Sequence, residues 1–464
     1  MQNARHVACP CFLVPNKPYA WRGADSSYKA CDLITHGAMA SPFQSIPFEV
    51  VDHILSLTNP ETVSSVSQTS TALHTYIRDN VFLWKSLFAR YFDLPDEHHQ
   101  SLDWRSQVQY RIQAKHTILA FFSTHISGEE LENAFKTLVQ TVRSAPPGRG
   151  WSKNIMWLDG ILTNPALWPS HSPLTSTHPQ LNHHSQSQSQ LQVLECDKVG
   201  RPGDRFKART FVYDMRNYHR SKLYGPFMPR YSQDEPLRIN YVHLRYLMNV
   251  LLNNLRDSHS DDAHVWMKRG FENTRPMTAP PSPVDGDWAG VQGDWLRFVS
   301  WVGYEELEEY NVRYIQLSVS KTLSVFMLQW PAGELPDVVH ELDSSIFRNP
   351  WFIEAHTLLQ FTMRVTSIDP PSRHHPERKP TVHFEGNTLG GGSNEARVRG
   401  TVHDEGGDVI RWSVSSIVGG EMRWHTEGVQ VGGVQSAAGW VGCWTSPAHE
   451  VYDPAGPNWT YKLR

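Results

Sequence analysis

The spacing of apolar residues changes from a helical to a strand-like period along this chain, and that change limits what it can fold into. Between Ser45 and Tyr91, Val50, Ile54 and Leu57 recur at helical spacing, and Trp84, Leu87, Phe88 and Tyr91 repeat at i, i+3, i+4 and i+7. Further on, Val398, Gly400 and Val402, then Ile410, Trp412 and Val414, alternate with polar residues, which is the period of a half-buried strand. A chain of 464 residues also exceeds what one ordinary core holds, roughly 250 to 300 residues. The expected fold class is therefore α+β: a small N-terminal all-α bundle, further helices, and a C-terminal antiparallel β-rich domain, barrel- or sandwich-like.

Residues 1–40 show no sustained periodicity and read as a poorly ordered leader. Pro47 suits a first helical position, and Asn59-Pro60-Glu61 supplies a cap, an N1 proline and an acid for a second helix that turns Val63 and Val66 inward. Leu73, Tyr76 and Ile77 suggest a third helix, and Trp84 to Tyr91 a fourth, so residues 41–92 form one tight helical block. Residues 93–150 continue helical up to the PPGRG break at 146–150, and 151–464 read as the β-rich domain. Disordered loops are expected at about 171–200, where Ser, Gln and His dominate, at 275–287 and at 369–380. Within the domain, the helix of residues 238–257 carries Leu244, Leu247, Met248, Leu251 and Leu255 on one stripe and reads as a buried support. Paired glycines at 406–407 and 419–420 mark turns, and the glycines from 428 to 442 suggest bulges or close backbone approach, devices of a curved sheet or small barrel.

Charge and motifs narrow the function classes. A net charge of -4 gives no basic field of the kind nucleic-acid binding needs. The five cysteines, Cys9, Cys11, Cys31, Cys196 and Cys443, are scattered and odd in number, which suits a reducing compartment and neither a disulfide framework nor a zinc site. No run of about 18 apolar residues is present, so no membrane span is expected, and the cytoplasm or nucleus is the expected location. Asn458-Trp459-Thr460 reads as a chance sequon. No phosphate loop, zinc-protease helix or nucleophile elbow occurs. The expectation is a non-catalytic protein with no cofactor and no metal.

The helical block resembles the F-box. Ile46-Pro47-Phe48-Glu49-Val50 stands where that family has its hydrophobic-Pro-x-Glu-hydrophobic opening, followed by Ile54-Leu55, Leu57, Val66, Leu73 and the late Trp84. The opening Leu is replaced by Ile46, and the family's Val-Cys-Lys/Arg-x-Trp run reads Val66-Ser67-Gln68-Thr69-Ser70. The rest of the chain is similar to a fungal F-box family through residues 240–257, 288–301, GVQVGGVQSAAGWVGCW and DPAGPNW. The resemblance implies that Ile46, Pro47, Val50, Ile54, Leu55, Leu57 and Trp84 contact a Skp-type adaptor and, through it, a cullin. It also implies a C-terminal module that binds a target protein, as in a substrate receptor of a ubiquitin ligase. Trp412, Trp424, Trp440, Trp444 and Trp459 are the candidate target-binding residues, since Trp is favoured at interface hot spots. Two alternatives are an F-box protein acting outside a cullin ligase and a ligand- or carbohydrate-binding β module.

Overall fold

Side-chain caps written into the sequence set the starts of the first helices. The structure, a computed structural model, describes residues 46–95, 102–120, 126–162, 186–195, 205–232, 234–258, 270–311, 346–349, 352–388, 396–449 and 453–463. The expected leader lies outside them, as do four of the five cysteines. The chain forms two units, Met1–Asp52 and His53–Arg464. In the first, the Pro47 carbonyl accepts from the amides of Val50 at 3.0 Å and Val51 at 3.2 Å and opens α1 (Phe48–Leu57), so Pro47 stands one residue ahead of the helix.

The second unit begins at His53. There α2 (Pro60–Ser67) is capped by Asn59, whose Oδ1 accepts from Thr62 N at 2.7 Å. Helix α3 (Thr71–Asp79) is capped by Ser70, and α4 (Val81–Tyr91) by Asn80, whose Oδ1 accepts from Leu83 N at 2.9 Å. Each cap satisfies an amide that a short helix would otherwise leave open. Leu55, Val63, Ile77, Leu83, Trp84, Leu87 and Phe88 are buried, and Trp84 Nε1 donates to the Ile77 carbonyl at 2.7 Å. A block this small needs neighbours. It finds them in α5 (Trp104–Ala120), where Trp104 packs edge-on to Phe88 at 5.2 Å and Arg111 lies over Phe88 and Phe92. Beyond α6 (Gly128–Arg143), which opens on a Ser127/Glu130 capping box, α7 (Lys153–Leu162) is capped from a distance. The Asp93 carboxylate accepts from Lys153 N, Asn154 N and the Ser152 hydroxyl at 3.0, 3.1 and 2.6 Å.

Two expectations need correction here. The Ser/Gln-rich tract was expected to be a disordered loop, but its described part is helix α8 (Gln186–Glu195), with Leu191, Val193 and Leu194 buried. Apolar residues at its C-terminal end give the polar tract enough surface to bury against α6 and α10 (Tyr241–Asp257). The stretch 151–464 is also not β-rich throughout. Helices α7, α8, α9 (Arg205–Val212) and α10 precede the first strand of the sheet. Residues 275–287 carry no regular structure, yet they are packed: the Arg275 guanidinium donates to the Pro146 carbonyl at 2.8 Å and Thr278 is buried. Residues 370–380 are irregular and mostly exposed. Helix α10 is the buried support its stripe suggests, with Leu244, Leu247, Met248, Leu251 and Leu255 at the centre of the largest apolar cluster.

Eight antiparallel strands then close into a barrel in sequence order: β1 (Gly293–Val302), β2 (Glu354–Asp369), β3 (Thr381–Thr388), β4 (Arg397–Asp404), β5 (Ile410–Val418), β6 (Glu421–Gln430), β7 (Trp440–Thr445) and β8 (Ala455–Lys462). Strand β1 pairs with both β2 and β8, so the ring has no free edge. Gly419 and Gly420 hold φ of 61° and 87° in the two-residue turn between β5 and β6, the conformation that matches strand twist. Gly442 is required by close approach, since a Cβ there would lie 2.2 Å from the Glu427 carbonyl oxygen. Alternate residues of β1, β7 and β8 face outward onto α10, including Leu296, Phe298, Val441 and Trp459, and Val429 of β6 joins the same cluster. The opposite residues fill the lumen, where Trp295, Phe361, Met363, Phe384, Trp412 and Trp440 close one end. Trp295 meets Trp412 at 5.4 Å and Trp412 stacks on Trp440 at 5.7 Å.

Candidate functional site

Along α1, the helical period separates two groups of apolar residues. Val51 and Leu55 are buried, whereas Phe48, Val50, Ile54 and Leu57 are 63%, 46%, 47% and 57% exposed. At the start of α4, Val81 and Phe82 are exposed as well, Phe82 at 82%. Leaving so many large apolar side chains in water on two short helices is unfavourable unless something covers them.

Of the residues expected to contact an adaptor, Pro47, Val50, Ile54 and Leu57 are exposed and Ile46 is half-buried. Leu55 and Trp84 are placed differently. Both are buried, and the Trp84 indole is committed to the Ile77 carbonyl, so they hold the bundle together and do not present a surface. Phe48, Val81 and Phe82 are additions. Phe48 occupies the variable position of the opening motif, Phe82 lies outside the apolar repeat of α4, and Val81 stands one turn ahead of Trp84 in phase with that repeat, a position that reads as core.

The barrel tryptophans also divide. Trp412 and Trp440 are fully buried in the closed end of the lumen, and Trp459 is fully buried on the outer wall, its indole donating to the Ala438 carbonyl at 2.7 Å. Trp444 is buried too, donating to the Ser300 carbonyl at 3.2 Å. These four build the barrel and do not line an open recognition surface, which corrects the expectation for them. Trp424 alone of the five is exposed, at 37%, and packs edge-on against Trp444 at 5.0 Å.

Two polar groupings invite a chemical reading. On the outer face of β5 and β6, Ser415 Oγ lies 3.2 Å from His425 Nδ1 and His425 Nε2 lies 3.0 Å from Glu427 Oε1. That order resembles a hydroxyl-imidazole-carboxylate relay, but the Glu427 carboxylate is already bound by both arms of Arg411 at 2.7 and 2.9 Å. A carboxylate neutralised in that way has little charge left to hold an imidazolium, so the grouping is a cross-strand ion-pair network. The second is Cys443 with His243, 3.7 Å apart and wholly buried. Burial pushes the His243 pKa down to about 3 and raises the Cys443 thiol above its ordinary range, so both are neutral core groups. Among the described residues, no group of three or more His, Cys, Asp or Glu side chains is placed to hold a metal ion, and no helix is long and apolar enough to cross a membrane.

One site residue was missed at the level of sequence. Arg297 lies on β1 in the same pleat phase as Trp295, and it is buried inside the barrel. The alternation Trp295, Arg297, Val299, Trp301 carried that signal. Asn458 and Thr460, read as part of a chance sequon, are fully buried, with Asn458 Oδ1 accepting from Arg297 Nε.

No curated protein and no solved structure matches the chain. A family model described as F-box-like matches residues 43–90, the stretch that holds α1 to α4 and its exposed apolar side chains, and the chain therefore carries an F-box-like domain there.

Proposed function

We propose that this chain is the substrate-recognition subunit of a Skp-cullin-F-box ubiquitin ligase. The F-box-like domain binds the Skp-type adaptor, and through it a cullin, while the region beyond it, including the barrel, binds a target protein in the cytoplasm or nucleus. Ubiquitin is transferred by other subunits, so the reading asks for no catalytic residue here.

The observation that carries it is the exposure of Ile54 and Leu57 on a helix of the F-box-like domain whose own core is complete without them. Ile46, Pro47 and Val50 of the same opening segment complete the adaptor contacts in this reading. Leu55 and Trp84 support them from beneath.

The test is co-purification of the tagged full chain from cells, with adaptor and cullin quantified by mass spectrometry, for wild type and an Ile54→Ala, Leu57→Ala variant. Adaptor and cullin should accompany the wild type and be lost together from the variant. Adaptor without cullin would move the protein outside the cullin ligases, and neither protein on the wild type would remove the adaptor reading altogether.

A further inference from the structure

Arg297 spans the inside of the barrel. Its guanidinium leaves β1 and bonds Ser416 Oγ on β5 at 3.1 Å and Thr426 Oγ1 on β6 at 2.8 Å, besides Asn458 Oδ1 on β8. In a closed ring of eight strands in sequence order, β5 and β6 are not neighbours of β1, so a side chain joining them crosses the lumen. Arg297 is 6% exposed, and all three of its acceptors are neutral. Burial pulls its pKa to about 10, and no carboxylate among the described residues pulls it back up. The group is therefore a cation at neutral pH, held out of water without a counter-charge among the described residues, an arrangement that costs stability.

Donors are left over around it. An arginine carries five N–H groups, and three are used here. Asn458 is fully buried, and its Nδ2 has no partner among the described residues. The Ser416 and Thr426 hydroxyls accept from Arg297 and so keep their own hydrogens to give. Donors gathered about an unpaired cation call for an anion with at least two acceptor oxygens.

The way in is from one end. Below Arg297 the lumen is stopped by the stack of Trp295, Trp412 and Trp440. On the other side, Leu359 stands directly opposite Arg297 in the β1–β2 register and Trp424 directly opposite Ser416 in the β5–β6 register, so both share the lumen face. Each is 37% exposed although it shares the face of Arg297, so apolar surface is accessible on that face. We propose that the barrel binds a carboxylate carried on an apolar body. The carboxylate sits on Arg297 and Asn458, and the apolar part lies between Leu359 and Trp424. The site stands on the barrel alone and does not depend on adaptor binding.

Two sources supply such a group: a free apolar acid, and the C-terminal residue of a polypeptide. Titration of the purified full chain, followed by tryptophan fluorescence and calorimetry, separates them with three probes: decanoate, decan-1-ol, and a peptide ending in an apolar residue as free acid or C-terminal amide. At least one carboxylate probe should bind saturably at one per chain, with its uncharged counterpart about 30-fold weaker or worse, since hydrogen bonds to a charged group are lost. Decanoate binding identifies the free acid as the source, and peptide binding without decanoate identifies the chain terminus. The Arg297→Met variant should lose binding and melt at or above the wild-type temperature, because an unpaired buried charge has been removed. Should that variant fail to fold, Leu359→Glu, which sets a carboxylate opposite Arg297 from an exposed position, should block binding and raise the melting temperature. Equal affinity for the uncharged probes, no saturable binding of any carboxylate, or unchanged binding by the foldable variants overturns the proposal.

Discussion

The F-box-like domain and the barrel use large apolar residues in opposite ways. In the first, Phe82 is 82% exposed and Leu57 57%, although the domain has a buried core of its own. In the barrel, Trp412, Trp440 and Trp459 are fully buried, and the largest side chains serve as the packing itself. The difference follows from what each region must do to be stable. A closed barrel buries its aromatic residues because the pleat sends alternate side chains into a lumen that has to be filled. Four short helices leave one side of α1 over, and its apolar residues stay in water. Aromatic richness is thus a weak guide to binding in a barrel, whereas modest aliphatic residues left in water on a short helix are a stronger one.

The contrast can be broken or sharpened in four ways. Trp412→Ala should be the most damaging single change, costing about 3 to 5 kcal/mol in chemical denaturation, because it empties the closed end of the lumen. A much smaller cost would mean that the tryptophan stack is not the packing that closes the barrel. Acidification gives the next effect. His243 is held neutral by burial, with a smaller contribution from Lys222, and its pKa falls from 6.5 to about 3. The unfolded chain then binds more protons than the folded one between those values. Stability from this group is complete above about pH 6.5 and is lost as pH falls toward 3, by up to about 1.4 kcal/mol per unit. A His243→Gln variant should show a flatter pH dependence of unfolding over that window, and an equally steep one would contradict the assignment. Asn59→Ala removes the cap of α2 and should cost about 1 kcal/mol, read from thermal unfolding. The smallest effect is expected for Ile54→Ala with Leu57→Ala. Exposed positions of this kind should move stability by only about 0.5 kcal/mol, and a large loss would show that they belong to the core.

Much of this organisation was legible in the sequence. The Asn59 cap, the period of α1 to α4, the stripe on α10 and the paired glycines of the β hairpins each stated a local rule that the fold obeys. What could not be read was tertiary. Leu55 and Ile54 are adjacent, and only the packing of α1 decides which of them is buried. Trp424 and Trp444 lie on neighbouring strands, and their different exposure is set only when the ring closes. Helix α8 was hidden by its Ser and Gln content, because its stability comes from neighbours distant in sequence. Arg297 looked like one polar residue in a β-prone run, and its isolation emerges only when eight strands close around it.

The account turns on whether the exposed aliphatic residues of α1, and not the aromatic residues of the barrel, meet the adaptor. The most direct test is a calorimetric titration of purified Skp-type adaptor into the full chain as wild type and as the Ile54→Ala, Leu57→Ala variant, with melting measured on the same samples. A loss of about 2 kcal/mol, or roughly 30-fold in affinity, at unchanged melting temperature is the expected result. Undiminished affinity in the variant, or no binding by the wild type, would contradict it.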